Sequence, residues 1–223
     1  MKLIFPMICR LSSSLVTIAF IFLLQACKDE ENNFNPLETG FVSHLSFNGN
    51  LNDFSNYATV LDSCASSSYV PGINGEAIML DENCRNVKFN KLTFRNGQCI
   101  SVSVWFKTSE NGNTWHFIKS SDFQVFTSHG EAGIAISIPE TNSAKGAFEL
   151  GNWTHIVGTY NGTTIKTYIN GQLVASTKHK GEISAPGYSF ELDGGGTWTG
   201  AIDELYIFDT ELNEEQVKKL YEM

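Results

Sequence analysis

Trp153-Thr-His-Ile-Val-Gly-Thr-Tyr160, Asn161-Gly162, Thr163-Thr-Ile-Lys-Thr-Tyr-Ile169, Asn170-Gly171, Gln172-Leu-Val-Ala-Ser176 is the stretch that decides the fold class. Three runs rich in Thr, Val, Ile and Tyr are separated by two Asn-Gly dipeptides. Asn and Gly tolerate positive φ at both central positions of a tight turn, so the segment predicts a three-strand antiparallel meander. Working outward, further strands are expected at Val42–Phe47, Glu76–Leu80, Val87–Phe89, Ile100–Phe106, Phe117–Lys119, Phe123–Phe126, Gly133–Ile138 and Ala201–Phe208. Gly, Asn and Ser lie between them. Helical periodicity is absent until the last dozen residues. There Asn213 can cap a helix with Gln216 at its third position, and Leu212 can pack on Val217 as a hydrophobic staple. Val217, Leu220 and Tyr221 then form an apolar stripe that would dock on the sheets. Many strands and one short helix predict an all-β sandwich or barrel, with no internal repeat and no second globular domain.

The start of the chain has a different character. Lys2 and Arg10 precede an apolar segment, Leu15 to Leu24, which is followed by Ala26 and Cys27. This order predicts a secretory signal peptide over residues 1–26. The apolar core is about ten residues, whereas a membrane-spanning helix needs roughly twenty. Leu24-Gln25-Ala26-Cys27 resembles the bacterial lipobox, which implies diacylglyceryl transfer to Cys27 and acylation of the new N-terminus. Several acyl chains on one cysteine make a lasting membrane anchor, since one chain alone holds only marginally. Lys28-Asp29-Glu30-Glu31 resembles the surface-export signal of lipoproteins in the Bacteroidota. The implied location is the outer membrane, lipid-anchored at the cell surface, with residues 27–39 as a polar tether and residues 40–223 as the domain.

Composition narrows the partners. The chain of 223 residues has a formal charge of −9, and loss of residues 1–26 removes two basic and no acidic residues, giving −11. So acidic a surface argues against nucleic acid, and the membrane is reached through the lipid alone. Of five cysteines, Cys9 leaves with the signal peptide and Cys27 takes lipid, which leaves Cys64, Cys84 and Cys99 in an oxidising compartment. A hairpin through Pro71-Gly-Ile-Asn-Gly75, centred near Asn74, would set Cys64 opposite Cys84, each ten residues away. That pair is the expected disulfide. Cys99 is expected as a buried small hydrophobe.

Several segments in order resemble the laminin-G-like, concanavalin A-like lectin/glucanase superfamily. They are Leu45-Ser-Phe47-Asn48-Gly49-Asn-Leu51-Asn-Asp53, Gly75-Glu-Ala77-Ile-Met-Leu80-Asp, Ile100-Ser-Val-Ser-Val-Trp105-Phe-Lys, the Trp153 and Tyr168 hairpin, and Gly200-Ala-Ile-Asp203-Glu204-Leu-Tyr-Ile207 with the closing helix. Together they span about Gly40 to Tyr221. The resemblance implies a two-sheet antiparallel jelly roll that binds its ligand on a concave face or loops.

Candidate sites follow from that resemblance. A family glycosidase would carry Glu-x-Asp-x-x-Glu on one strand, with the carboxylates sharing a face. Here Glu191-Leu-Asp193-Gly-Gly-Gly196 puts Gly196 where the second acid should stand, so no catalysis is expected. The five histidines show no metal spacing, and His155 falls at a family core position. Relatives often hold a structural calcium, which wants carboxylate and carbonyl oxygens. Its candidate ligands are Asp53, Asp203 and Asn48, where Asn48 replaces the family's usual acid. Trp105 and Trp153 match family core positions. Trp115, Trp198 and Tyr188 sit in loop-like surroundings and are the candidates for stacking on a sugar ring. The expected function is a non-catalytic binding domain for carbohydrate, with a protein-binding or structural adhesin as the alternative and a divergent glycosidase third.

Overall fold

The computed structural model describes residues 41–223 except 53, 56–58, 63, 65, 93–97, 138, 184–187 and 193–197, and for 41, 59–62, 90–92 and 188 it describes the backbone alone. The expectations for the signal peptide, Cys27, the tether, Asp53 and the Gly194–Gly196 triplet lie outside the described residues.

Among the described residues, fifteen strands and one helix follow in order: β1 (Phe41–Leu45), β2 (Thr59–Asp62), β3 (Ser68–Pro71), β4 (Glu76–Leu80), β5 (Val87–Leu92), β6 (Ile100–Lys107), β7 (Trp115–Lys119), β8 (Phe123–Ser128), β9 (Glu131–Ile136), β10 (Asn142–Ala147), β11 (Thr154–Tyr160), β12 (Thr164–Ile169), β13 (Gln172–Lys178), β14 (Tyr188–Leu192), β15 (Gly200–Phe208) and α1 (Glu214–Glu222). They make two antiparallel sheets. The first runs β13-β12-β11-β6-β15-β4-β3 with β1 also paired to β15, and the second runs β10-β9-β8-β7-β14-β5-β2. This is the expected jelly-roll sandwich.

The meander forms as β11, β12 and β13, but its two turns differ. Ile169 pairs with Gln172, and Asn170 and Gly171 both have positive φ, 48° and 76°, the pattern of a type I′ turn. In the first turn only Gly162 is positive, at 87°. The Asn161 N–H donates to the Thr164 carbonyl, and its side-chain Oδ1 accepts the N–H groups of Thr163 and Thr164. Gly162 is thus the first central residue, as in a type II′ turn. The pattern of Asn-Gly was the same; the register around it was not.

Between the sheets lies one core. Strand alternation builds it: Ile100, Val102, Val104 and Phe106 of β6 point in, as do Ile156 and Tyr160 of β11. The layers approach so closely at Gly158 that a Cβ there would stand 2.1 Å from Ile134 Cγ2 of β9. Beyond the expected strands lie β2, β10 and β14. β2 and β10 are sheet edges, and β10 buries only Ala144, so its hydrophobic signal is weak. The Cys64–Cys84 disulfide forms as expected, flanking the β3–β4 hairpin in which Pro71 pairs with Glu76. Cys99 is free and only half-buried, a departure from its expected burial.

A second, smaller cluster lies on the other face of the first sheet. Val157, Tyr168, Tyr206 and Phe208 point away from the main core and are covered by Leu212, Val217 and Leu220. Helix α1 is held there by the expected capping box: Asn213 Oδ1 accepts the Gln216 N–H, and the Asn213 N–H donates to Gln216 Oε1, each at 2.9 Å. Without that cluster a nine-residue helix would be marginal in water.

Candidate functional site

The outward face of the first sheet carries the site, and the alternation that fills the core also creates it. In Ile100-Ser-Val-Ser-Val-Trp-Phe-Lys the inward set is apolar, so Ser101, Ser103, Trp105 and Lys107 must face outward. Trp105 and Trp153 are accordingly half-buried on this face; the family core position did not mean the interior of the sandwich. Trp105 packs against the Tyr221 ring of α1 at 5.5 Å and the His155 ring at 5.0 Å, measured between ring centroids. Register sets Trp105 beside His155, and beyond the last pair, Phe106 with Thr154, Lys107 and Trp153 line one groove.

Lys107 and Trp153 open onto a groove of about 540 Å³ that crosses the ends of β6, β15, β4 and β3. Its apolar floor is Val70, Pro71, Met79 and Ala201, with Ser109 and Glu110 on the rim. Thr108 fixes the rim, because its Oγ1 donates to the Thr199 carbonyl at 2.6 Å and accepts the Glu110 N–H at 3.0 Å. Lys107 forms no ion pair with another described residue. The groove therefore joins an accessible indole, an ammonium and hydroxyl and carboxylate groups on a rigid sheet.

Trp198, expected as a surface stacking residue, lies in the core. It is fully buried, stacked on Phe117 at 4.9 Å, with its Nε1 donating to Thr127 Oγ1 at 3.2 Å. The connection from β14 to β15 passes from one sheet to the other, so a large ring on it falls into the core instead of a surface loop. Trp115 is half-buried against the core at the start of β7, with its indole Nε1 enclosed. Nor does Tyr188 join it: β14 meets β7 through Glu191 and Leu192, at Lys119 and Ile118, leaving Tyr188 at the far end beside Leu92. The side chain of Tyr188 lies outside the described residues. Trp198 and Trp115 thus offer no shared open face, and the Tyr188 backbone stands at the other end of β14. Glu191 lies 3.5 Å from Lys88 Nζ, a solvated pair on the second sheet.

The described calcium candidates hold backbone. Asp203 Oδ2 accepts the N–H groups of Ile73 and Asn74 at 2.8 and 3.1 Å, and its Oδ1 accepts the Glu204 N–H at 2.9 Å. Asn48 Oδ1 accepts the Glu76 N–H at 2.7 Å. Calcium needs six to eight oxygens, several of them carboxylate. The described members supply one carboxylate already engaged by three N–H donors, which does not fit such a site. Among the described residues no group of three His, Cys, Asp or Glu could hold a metal.

A family model described as the concanavalin A-like lectin/glucanases superfamily matches residues 81–218. The chain belongs to that superfamily. Among solved structures, this concanavalin A-like domain is similar to the binding domain of botulinum neurotoxin DC in complex with SialylT, with a TM-score of 0.66 and 18% identity over 83% of this chain and 52% of that one. The same neurotoxin domain in complex with rat synaptotagmin II gives 0.68 and 16%, over 84% and 52%. The chain thus spans about half the length of those two structures. Domain 4 of AbnA, a GH43 extracellular arabinanase from Geobacillus stearothermophilus, in complex with arabinotriose, gives 0.66 and 22%, over 81% and 98%. At these identities the likeness is one of fold. No curated protein matches the chain.

Proposed function

We propose that this chain is a cell-surface lipoprotein, anchored in the outer membrane through Cys27, whose concanavalin A-like domain is a non-catalytic binding module for carbohydrate. The observation that carries the reading is the groove at Trp153. An indole on a rigid sheet offers a pyranose ring an apolar face, and the flanking Lys107, Ser109 and Glu110 offer its hydroxyls donors and acceptors. Support comes from the neighbouring folds, a neurotoxin binding domain in complex with SialylT and with rat synaptotagmin II, and domain 4 of an arabinanase in complex with arabinotriose. The absent second acid at Gly196 supports a binding role over hydrolysis.

The test is a glycan array with the detergent-purified full chain beside its Trp153→Ala variant. Expected is binding to a defined glycan set that disappears in the variant while the melting temperature stays within a few degrees. Adhesion to a protein ligand with no glycan bound would favour the adhesin instead. Lipidation is read separately, as incorporation of labelled palmitate that Cys27→Ala abolishes.

A further inference from the structure

Six Asn-Gly dipeptides recur along the chain, at Asn48, Asn74, Asn96, Asn111, Asn161 and Asn170. Glycine after asparagine leaves the backbone open enough for the main-chain nitrogen to reach the side-chain amide, so each is a candidate for self-modification. Asn96 lies outside the described residues. Among the other five, the fold treats one differently.

Four are tied down. Asn48 Oδ1 accepts the Glu76 N–H at 2.7 Å, and Asn74 Nδ2 donates to Glu204 Oε1 at 3.2 Å. Asn161 Oδ1 accepts the N–H groups of Thr163 and Thr164 while its Nδ2 donates to Glu211 Oε2 at 2.9 Å, and Asn170 Oδ1 accepts the His155 N–H at 2.9 Å. In all four the following glycine is held at positive φ, between 68° and 87°. Each amide must break a hydrogen bond before it can turn onto the backbone.

Asn111 has none of these restraints. It is exposed, its side chain makes no hydrogen bond, and its Oδ1 is 3.7 Å from where a Cβ on Gly130 would stand. Gly112 is outside the left-handed region, and a Cβ there would meet nothing within 4 Å. Its N–H donates to no described residue. Only its carbonyl is engaged, accepting the His129 N–H at 3.1 Å, which holds the pair against the β8–β9 turn. Nucleophile and amide are therefore both free in the folded chain.

We infer that Asn111 converts itself to aspartate and isoaspartate, and that this loop is the preferred site of spontaneous modification among the described Asn-Gly pairs. The Gly112 nitrogen attacks Asn111 Cγ, a bond forms between them, and the Cγ–Nδ2 bond breaks. Nδ2 leaves as ammonia, carrying the proton from Gly112. Water then opens the cyclic imide. Addition at Cγ breaks the new bond and leaves aspartate, whereas addition at the Asn111 main-chain carbon breaks the original peptide bond and leaves isoaspartate. In both cases one water proton returns to the Gly112 nitrogen, the other leaves the new carboxyl group for solvent, and nothing is oxidised or reduced. Either product sets a carboxylate next to Glu110, on the rim of the Trp153 groove. That rim gains negative charge as the chain ages.

The test is mass spectrometry of the full chain aged in mildly alkaline buffer, folded or in urea, with fragment ions reporting each Asn-Gly pair. A hydrogen bond that must first be broken slows the reaction about tenfold, so folded Asn111 is expected to exchange ammonia for water about tenfold faster than Asn48, Asn74, Asn161 or Asn170. In urea the five rates should converge, because only the local dipeptide remains. Trypsin releases residues 108–119, whose only Asn-Gly pair is Asn111-Gly112. That peptide should resolve into aspartate and isoaspartate forms, and Asn111→Gln should silence it. An Asn111 no faster than the other four when folded, an advantage that persists in urea, conversion without an isoaspartate form, or a signal that survives Asn111→Gln would overturn the inference.

Discussion

Asp203 Oδ2 receives the backbone N–H of Ile73 at 2.8 Å, across 130 residues of sequence, and this bond joins the β3–β4 hairpin to β15. Gly72 is part of the joint, because a Cβ there would stand 2.4 Å from the same oxygen. Replacing Asp203 by Ala strands the N–H groups of Ile73, Asn74 and Glu204. A cost of about 2–3 kcal/mol is expected, read from urea unfolding.

The same carboxyl gives a pH signature. Burial, reinforced by the adjacent Glu204, lifts it from 3.8 to about 6 even though three N–H donors oppose the shift. The folded chain therefore holds this proton more tightly than the unfolded chain. Its contribution is fully present below 3.8, shrinks as pH rises, and is lost above about 6. Urea melts at about pH 4 and about pH 7 should show a gain on the acid side that Asp203→Asn lacks. An identical pH dependence in the two proteins would contradict the assignment.

At Gly158 the two sheets approach closely, leaving no room for a Cβ beside Ile134. Gly158→Ala forces a methyl into Ile134, and overpacking of this kind should cost about 1–3 kcal/mol. Pairing it with Ile134→Val should return part of the loss, since the two residues share one space.

Cys64 and Cys84 close a loop with a sequence separation of 20. Reduction, or Cys64→Ala with Cys84→Ala, should lower stability by about 3 kcal/mol through the freed unfolded chain. Cys99→Ala should leave the mass of the peptide pair linked by Cys64 and Cys84 unchanged.

Excess EDTA is expected to leave the melting temperature unchanged, because the oxygens of Asn48 and Asp203 hold backbone N–H groups. A fall on chelation, restored by calcium, would show an ion completed by ligands such as Asp53.

The sheet residues show why some of the site was legible and some was not. Val, Ile and Thr runs between Asn-Gly turns gave the meander, and period-two alternation in β6 already separates Val104 from Trp105. That alternation was the signal for the Trp105 and Trp153 face, and matching those residues to family core positions concealed it. Trp198 had no local signal. Its neighbours are the residues of a loop, and only the crossing from the second sheet to the first carries its ring into the core.

What the sequence determined by itself was therefore local or repetitive: strand periodicity, turn chemistry, the Asn213 cap and the ten-residue symmetry that pairs Cys64 with Cys84. The tertiary structure alone decided which face of the first sheet stayed open, and how Glu204, His155, Asn74 and Trp105 came to share a cavity. The reason is distance along the chain. Those four residues come from β15, β11, the β3–β4 hairpin and β6, and no local pattern encodes contacts that arise only when sheet register and a docked helix bring the strands together.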